Sequence, residues 1–417
     1  MNKQTTSIFN IAVLVAALGY FVDIYDLLLF NIVRVKSLTD LIGNDDVLIK
    51  SKGEFIISIQ MIGLLLGGII WGIMGDKKGR LSVLFGSIIL YSVANIANGF
   101  VQTTNQYALV RFIAGVGLAG ELGAGITLVT ELVTKEKRGL STSLVAGIGL
   151  TGAVVAYFIS ENFHWRICYF IGGGLGFCLL LLRIAVFESG MFTEVKKLNV
   201  VKGNFFMFFN NKRRFKKYMF AILIGLPTWY VIGVLIAFSN NFGKAFGIAE
   251  TVVPAKSTMY AYIAISAADL LIGFVSHWLR SRKKALYLFY VFTIIAIIFY
   301  FNQYNGTAAG MYVMCAALGF ATGFWALFVT MAAEQFGTNL RATAATTAPN
   351  MVRGSLPLTL LLFNGLQSLL KSTWQQTQSQ AYINAAIITG IIVMAISITA
   401  AYFTEETFGK DLNYVET

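Results

Sequence analysis

Asp23 and Asp26 stand inside Ile8 to Val33, an apolar run of 26 residues. An ionised carboxylate at mid-membrane costs at least about 2.5–3.5 kcal/mol, so it persists only where something neutralises it. Their i, i+3 spacing puts both acids on one helix face, where they can share a polar cavity. A second apolar stretch, Arg111-Phe-Ile-Ala-Gly115-Val-Gly117-Leu-Ala-Gly120-Glu121, adds a cation and a third acid. Arginine cannot shed its charge, so within a span it needs an acid or water, unless it lies at a boundary and snorkels. Asp26 or Asp23 is the expected partner of Arg111, and protonating that carboxylate breaks the pair. The chemistry these four residues suggest is proton binding linked to movement, with Asp23, Asp26, Arg111 and Glu121 as the proton-coupling set.

A second constellation occupies the other half of the chain. Asp269 and Arg353 fall within apolar spans, and Arg353 follows Asn350 and lies between Pro349 and Pro357. Arg353 can hold a substrate carboxylate as a two-pronged fork, or it can pair with Asp269 as structure; the residues leave both open. Trp229, Tyr230 and Trp325 are candidate cavity aromatics. With Asn350 and Asp269 they complete the candidate substrate-binding set. No paired catalytic constellation, metal-ligand cluster or phosphate-binding loop is visible, which argues against an enzyme and against a metal or organic cofactor. Cys168, Cys178 and Cys315 all lie in apolar runs and suggest no disulfide framework.

The elements that must position these residues are set by hydropathy. The chain is 57% hydrophobic and 12% charged, with mean hydropathy +0.70, the profile of a polytopic membrane protein. About 20 helical residues cross a hydrocarbon core. Candidate spans are 8–33, 54–74, 81–101, 107–133, 140–160, 166–188, 218–238, 258–279, 285–302, 308–333, 342–370 and 380–403. The first is too long for a signal-peptide core and lacks a clear cleavage site, so it is expected to stay attached. Pro349 and Pro357 predict a kink in 342–370.

Of the 32 Lys and Arg residues, 21 fall in segments on the side of the amino terminus, 8 on the other side, and Arg111, Arg183 and Arg353 within spans. The bias predicts cytoplasmic termini in a bacterial inner membrane, and it accounts for the net charge of +12 without nucleic acid. Two landmarks recur about 200 residues apart: Gly72-Ile-Met-Gly-Asp76-Lys-Lys-Gly79-Arg80 against Gly273-Phe-Val-Ser-His277-Trp-Leu-Arg280, and Glu131…Arg138 against Glu334…Arg341. Their common offset implies two six-helix bundles, residues 1–188 and 218–417. The bridge, 189–217, is a basic, partly aromatic linker expected to lie on anionic lipid. Gly72, Asp76, Gly79, Arg80, Glu131, Arg138, Glu334 and Arg341 form the candidate gate, a charge network that exists in one conformation and separates in another.

These motifs resemble the major facilitator superfamily. Gly72-x-x-x-Asp76-x-x-Gly79-Arg80 is similar to its loop 2–3 signature, and Arg111-x-x-x-Gly115-x-Gly117 to its fourth-helix signature. Trp165-Arg166, Arg183…Glu188-Ser189 and Glu406-Thr407-Phe-Gly409-Lys410 resemble the sugar-porter and metabolite:proton symporter branches. The resemblance implies alternating access around a central site, with Asp26, Asp23 beside it, and Arg111 carrying proton coupling. Departures are Gly190 in place of a proline, His277 in place of an acid, a seventh helix without the sugar-porter amides, and no Gly-Pro drug-antiporter signature in the fifth span. Gly225–Tyr230 and Glu334–Arg341 look like the phagosomal nutrient transporters of intracellular bacteria. The expected function is therefore proton-coupled uptake of a small polar metabolite, an amino acid first. Another organic acid or sugar-like solute, drug export on the same fold, or a non-transporting receptor are the alternatives. A monomer is expected.

Overall fold

The computed structural model describes residues 11–78, 80–132, 138–188 and 205–410. Among these the chain forms twelve membrane-crossing helical elements, several of them interrupted. They are α1 (Ile11–Ile42), α2 (Asp46–Lys78), α3 (Arg80–Asn98), α4 (Thr104–Leu118 and Glu121–Leu132), α5 (Arg138–Leu150 and Gly152–Asn162) and α6 (Trp165–Glu188). The second half is α7 (Lys212–Ile224, Leu226–Tyr230 and the π-helical Val231–Ile236), α8 (Pro254–Trp278), α9 (Arg282–Tyr300), α10 (Ala308–Ala321 and Trp325–Glu334), α11 (Thr338–Gly354 and Leu356–Thr373) and α12 (Gln378–Phe403).

Ten elements are long and apolar enough to cross a membrane. The other two depart for physical reasons. In α3 the apolar part is short, Ser82–Asn98. The first piece of α11 is polar because its buried face meets protein, not lipid: Thr343, Thr347, Asn350 and Arg353 are all buried.

Hydropathy placed the ends of the first two elements too tightly. α1 runs on to Ile42 and α2 begins at Asp46, where the Asp45 carboxylate accepts from the N–H groups of Val47 (2.9 Å) and Leu48 (3.0 Å) and caps the helix. Arg34, expected in a loop, is thus a buried helical residue. The glycines of α4 allow close crossings on two sides. A Cβ on Gly115 would stand 2.3 Å from the Gln60 carbonyl of α2, and one on Gly117 would stand 2.6 Å from the Tyr91 nitrogen of α3.

The predicted kink in α11 is a break at Ser355, with Pro357 in the first turn of the next piece, where its missing N–H is not needed; Pro349 remains inside the helix. Residues 189–204 of the predicted linker lie outside the described residues. From Phe205 onward the chain packs with the second half. Phe208 stacks on Tyr218 at 4.3 Å and meets Phe336 edge-on at 5.0 Å.

Candidate functional site

Between the two halves lies a small cavity of about 20 Å3, far below the roughly 300–1,000 Å3 typical of occupied small-molecule sites, so the substrate space is collapsed in this conformation. α1 contributes Tyr20, Ile24 and Leu27, whose 4- and 3-residue spacing is one helix face. α7 contributes Thr228, Trp229 and Ile232, beside its irregular turns; α8 gives Tyr262 and Ile265, α10 gives Trp325, and α11 gives Arg353. The breaks in α7 and α10 adjoin these wall residues, where irregular backbone at membrane depth is tolerated because it faces a cavity.

The cavity is closed toward both ends of the bundle. At mid-span, beside the wall residue Ile265, the Ser266 hydroxyl donates to the Gly147 carbonyl and ties α8 to α5. Toward the end carrying the basic loops Gly72 of α2 packs against Thr347 and Thr343 of α11, and Asn350 donates to the Ala119 carbonyl of α4 (2.8 Å). At the opposite end Arg34 of α1 donates to the Ala237 carbonyl (2.7 Å) and lies 4.2 Å from the Phe238 ring centroid, while Asn364 donates to Glu54 (2.8 Å).

Arg353 is the cation of the cavity. It is 1% exposed, gives Nη1 to the Asn350 amide oxygen (3.3 Å), and lies 5.6 Å from the Trp325 ring centroid. No carboxylate among the described residues lies within 4.0 Å of it, and its Nε has no hydrogen-bond partner. Asp23 lies on the α1 face that carries Tyr20 and Leu27. It is fully buried, and neither carboxylate oxygen accepts a hydrogen bond.

Below the cavity wall the first half holds two polar sites. Arg111 donates to the backbone carbonyl of Asp26 (3.0 Å), to Asn95 (3.0 Å) and to Gln60 (3.3 Å), and sits 5.4 Å from the Tyr169 ring centroid. The expected carboxylate–guanidinium pair is therefore absent from this conformation; Arg111 holds the main chain of Asp26, and the carboxylate accepts no hydrogen bond. That carboxylate fits against Gly172 of α6, where an added Cβ would stand 2.4 Å from its oxygen. Glu121 is not a free acid. It forms a two-pronged pair with Arg183, with Nη1 to Oε2 at 3.0 Å and Nη2 to Oε1, both residues 1% exposed. In the sequence Arg183 counts among the cations within spans, with no partner assigned to it.

Three members of the predicted substrate set sit elsewhere. Asp269 accepts from the Ala326 N–H (3.0 Å) and so caps the second piece of α10; it does not pair with Arg353. Tyr230 faces α12 and donates to the Ala386 carbonyl (2.7 Å). Asn350 bridges the two halves and orients Arg353 without reaching the cavity. Trp229, Trp325 and Arg353 do line it. Sequence reasoning missed Tyr20, Thr228 and Tyr262. Tyr20 precedes Asp23 by three residues and Tyr262 precedes Asp269 by seven, so each shares a helix face with an acid that is conspicuous in the sequence.

Of the gate candidates, Gly79 and the side chains of Asp76, Arg80, Glu131 and Arg138 lie outside the described residues. Glu334 takes a hydrogen bond from Arg282, which opens α9 at the α8–α9 loop (3.3 Å), and one from Thr407 (2.7 Å); Arg341 is half-buried. The neighbouring Glu406 accepts from the Ser281 hydroxyl and from the N–H groups of Arg282 (2.9 Å) and Lys283 (3.2 Å), fastening the segment after α12 to that loop. Burial opposes its charge, but these donors together hold its carboxyl below the usual glutamate range.

Comparison with known proteins places this architecture. The chain is 25% identical over 401 residues to the niacin transporter NiaP of Acinetobacter baylyi, covering 89% of each. It is 32% identical over 152 residues to the benzoate transport protein of the same organism, covering 34% of this chain and 32% of that one. The solved structure of the proton:xylose symporter XylE bound to 6-bromo-6-deoxy-D-glucose superposes with a TM-score of 0.72 at 16% identity, covering 96% of this chain and 97% of the other. The family model of the Major Facilitator Superfamily matches residues 8–359, and the chain belongs to that superfamily: it is a multi-pass membrane transporter of a small metabolite and not an enzyme.

Proposed function

We propose that this transporter imports a small organic carboxylate with a flat or apolar body, driven by a proton, across a bacterial inner membrane with both termini in the cytoplasm. The observation that carries the reading is Arg353: a buried guanidinium without an acid partner among the described residues, at the wall of a closed cavity beside Trp325, Trp229 and Tyr262. A carboxylate supplies the missing charge in a geometry that suits the fork, and the indole and phenol rings suit a planar body. The names of the relatives support it, since niacin and benzoate are both aromatic carboxylates. The 21 basic residues on one side support the orientation.

In this reading Asp26 carries the proton. Its carboxylate has no hydrogen-bond donor while Arg111 grips its backbone, so adding a proton removes a buried charge and slackens the pull on Arg111. With Arg353 neutralised by substrate and Asp26 by a proton, the Arg34–Ala237 closure or the Asn350–Ala119 closure gives way, and the cavity opens to one side.

A second reading is the amino acid expected from the sequence. Asp23, one turn along α1 from the wall residue Tyr20 and without donors, favours it, because an ammonium group brought within its reach would satisfy that carboxylate while Arg353 takes the other end.

Uptake into proteoliposomes under an imposed proton gradient tests both. Labelled nicotinate or benzoate is expected to accumulate. Asp26→Asn is expected to abolish accumulation against a gradient yet leave substrate exchange intact. Gradient-driven accumulation that survives Asp26→Asn removes the coupling assignment. Saturable uptake of amino acids, with none of aromatic carboxylates, replaces the first reading by the second.

A further inference from the structure

A second pocket, of about 170 Å3, lies at the basic end between the start of α7 and the end of α12, apart from the central cavity. We propose that it binds the phosphodiester headgroup of an anionic phospholipid. Arg213, Lys216 and Lys217 line it, and their i, i+3, i+4 spacing places all three on one face of α7. A single acid, Glu405, faces them, and it is shared: Lys217 lies 3.1 Å away, and Arg213 and Lys410 each 3.5 Å. Lys216 has no carboxylate partner among the described residues. Positive charge is therefore in excess at a concave site, which calls for an anion.

The apolar wall of the same pocket narrows the choice of anion. Phe220 and Phe403 stack with ring centroids 5.8 Å apart, and Phe403 is 60% exposed. Phe206 and Phe209, in the segment that leads into α7, and Phe215, in its first turn, are also exposed. Free phosphate would use the cations and leave these rings in water. A phospholipid uses both, with its phosphate on the cations and its glycerol and upper chains along the rings, the arrangement of a membrane-interface anchor. Cationic groups near a membrane surface select anionic headgroups over zwitterionic ones. The site is independent of the substrate reading above and requires only that the chain sit in a bilayer.

The test is lipid retention by the purified full-length protein, read by native mass spectrometry after titration with phosphatidylglycerol or phosphatidylcholine. Phosphatidylglycerol is expected to bind at least about fivefold tighter, and Lys216→Gln or Arg213→Gln to weaken it about fivefold each. The triple Gln variant of Arg213, Lys216 and Lys217 is expected to lose the preference, while Lys371→Gln at the opposite end leaves it unchanged. Lys216→Gln decides the matter if the triple variant melts early, since it breaks no ion pair. Equal retention of the two lipids overturns the proposal, as does an unaltered preference in Lys216→Gln. Displacement of phosphatidylglycerol by inorganic phosphate at matching concentration also overturns it, in favour of a free-phosphate site.

Discussion

Arg353→Gln separates a substrate-binding arginine from a structural one. In the closed conformation the guanidinium makes one hydrogen bond to a side chain, Nη1 to Asn350 at 3.3 Å, and a loose contact with Trp325 at 5.6 Å. A structural arginine of comparable burial, Arg183, is held by both oxygens of Glu121. Removing Arg353 therefore sacrifices little in the empty protein and deletes an uncompensated buried charge, so the melting temperature without substrate is expected to hold or rise. With a carboxylate bound the balance reverses. Taking away one partner of a buried charge pair costs about 3–5 kcal/mol, a loss of affinity of roughly two to three and a half powers of ten. Arg353→Lys keeps the charge but loses the fork, and is expected to cost about 1.5–3 kcal/mol, the worth of one charge-assisted hydrogen bond. The assay is calorimetric titration of nicotinate or benzoate into the purified protein, with the melting temperature measured in parallel. Arg353→Gln binding within about threefold of wild type refutes the assignment, as does collapse of the empty protein.

The same geometry sets further expectations. Gly172→Ala places a methyl group 2.4 Å from the Asp26 carboxylate and 2.9 Å from the Tyr25 ring, so proton-driven uptake is expected to fall at least about tenfold with expression retained, measured in whole cells. Glu121→Gln leaves Arg183 buried without its counter-ion and is expected to destabilise the fold by about 3–5 kcal/mol, whereas replacing both by leucine recovers part of that loss in thermal melts. Glu406 has a lowered pKa in the folded protein. Its contribution to stability is thus fully present above the ordinary value of 4.5 and is lost as pH falls from there through the folded value. Melting curves of wild type should therefore drop more steeply below pH 4.5 than those of Glu406→Gln, which lacks this titration.

Much of the architecture was legible because lipid leaves few choices. Long apolar runs must be helices, and the twelve candidate spans match the twelve helical elements of the structure. The site was legible in kind but not in detail. A charge inside a span advertises itself, so Asp23, Asp26, Arg111, Glu121, Asp269 and Arg353 all stood out, and all are buried. Their partners could not be read. Pairing depends on which helix faces which, and hydropathy along one helix carries no record of its neighbour. Hence Glu121 was grouped with Arg111 when Arg183 holds it, and Asp269 was grouped with Arg353 when a break in α10 supplies the N–H it needs.

Composition and charge alone determined that this chain crosses a membrane many times, carries ionisable groups within it, and gathers its basic residues on one side. Only the tertiary structure decided that Arg353 is left without an acid beside aromatic rings, that Asp26 offers Arg111 its backbone, and that both ends of the cavity are shut. The reason is physical: burial of a charge is a property of one residue's surroundings along the chain, while its neutralisation is a contact between helices far apart in sequence.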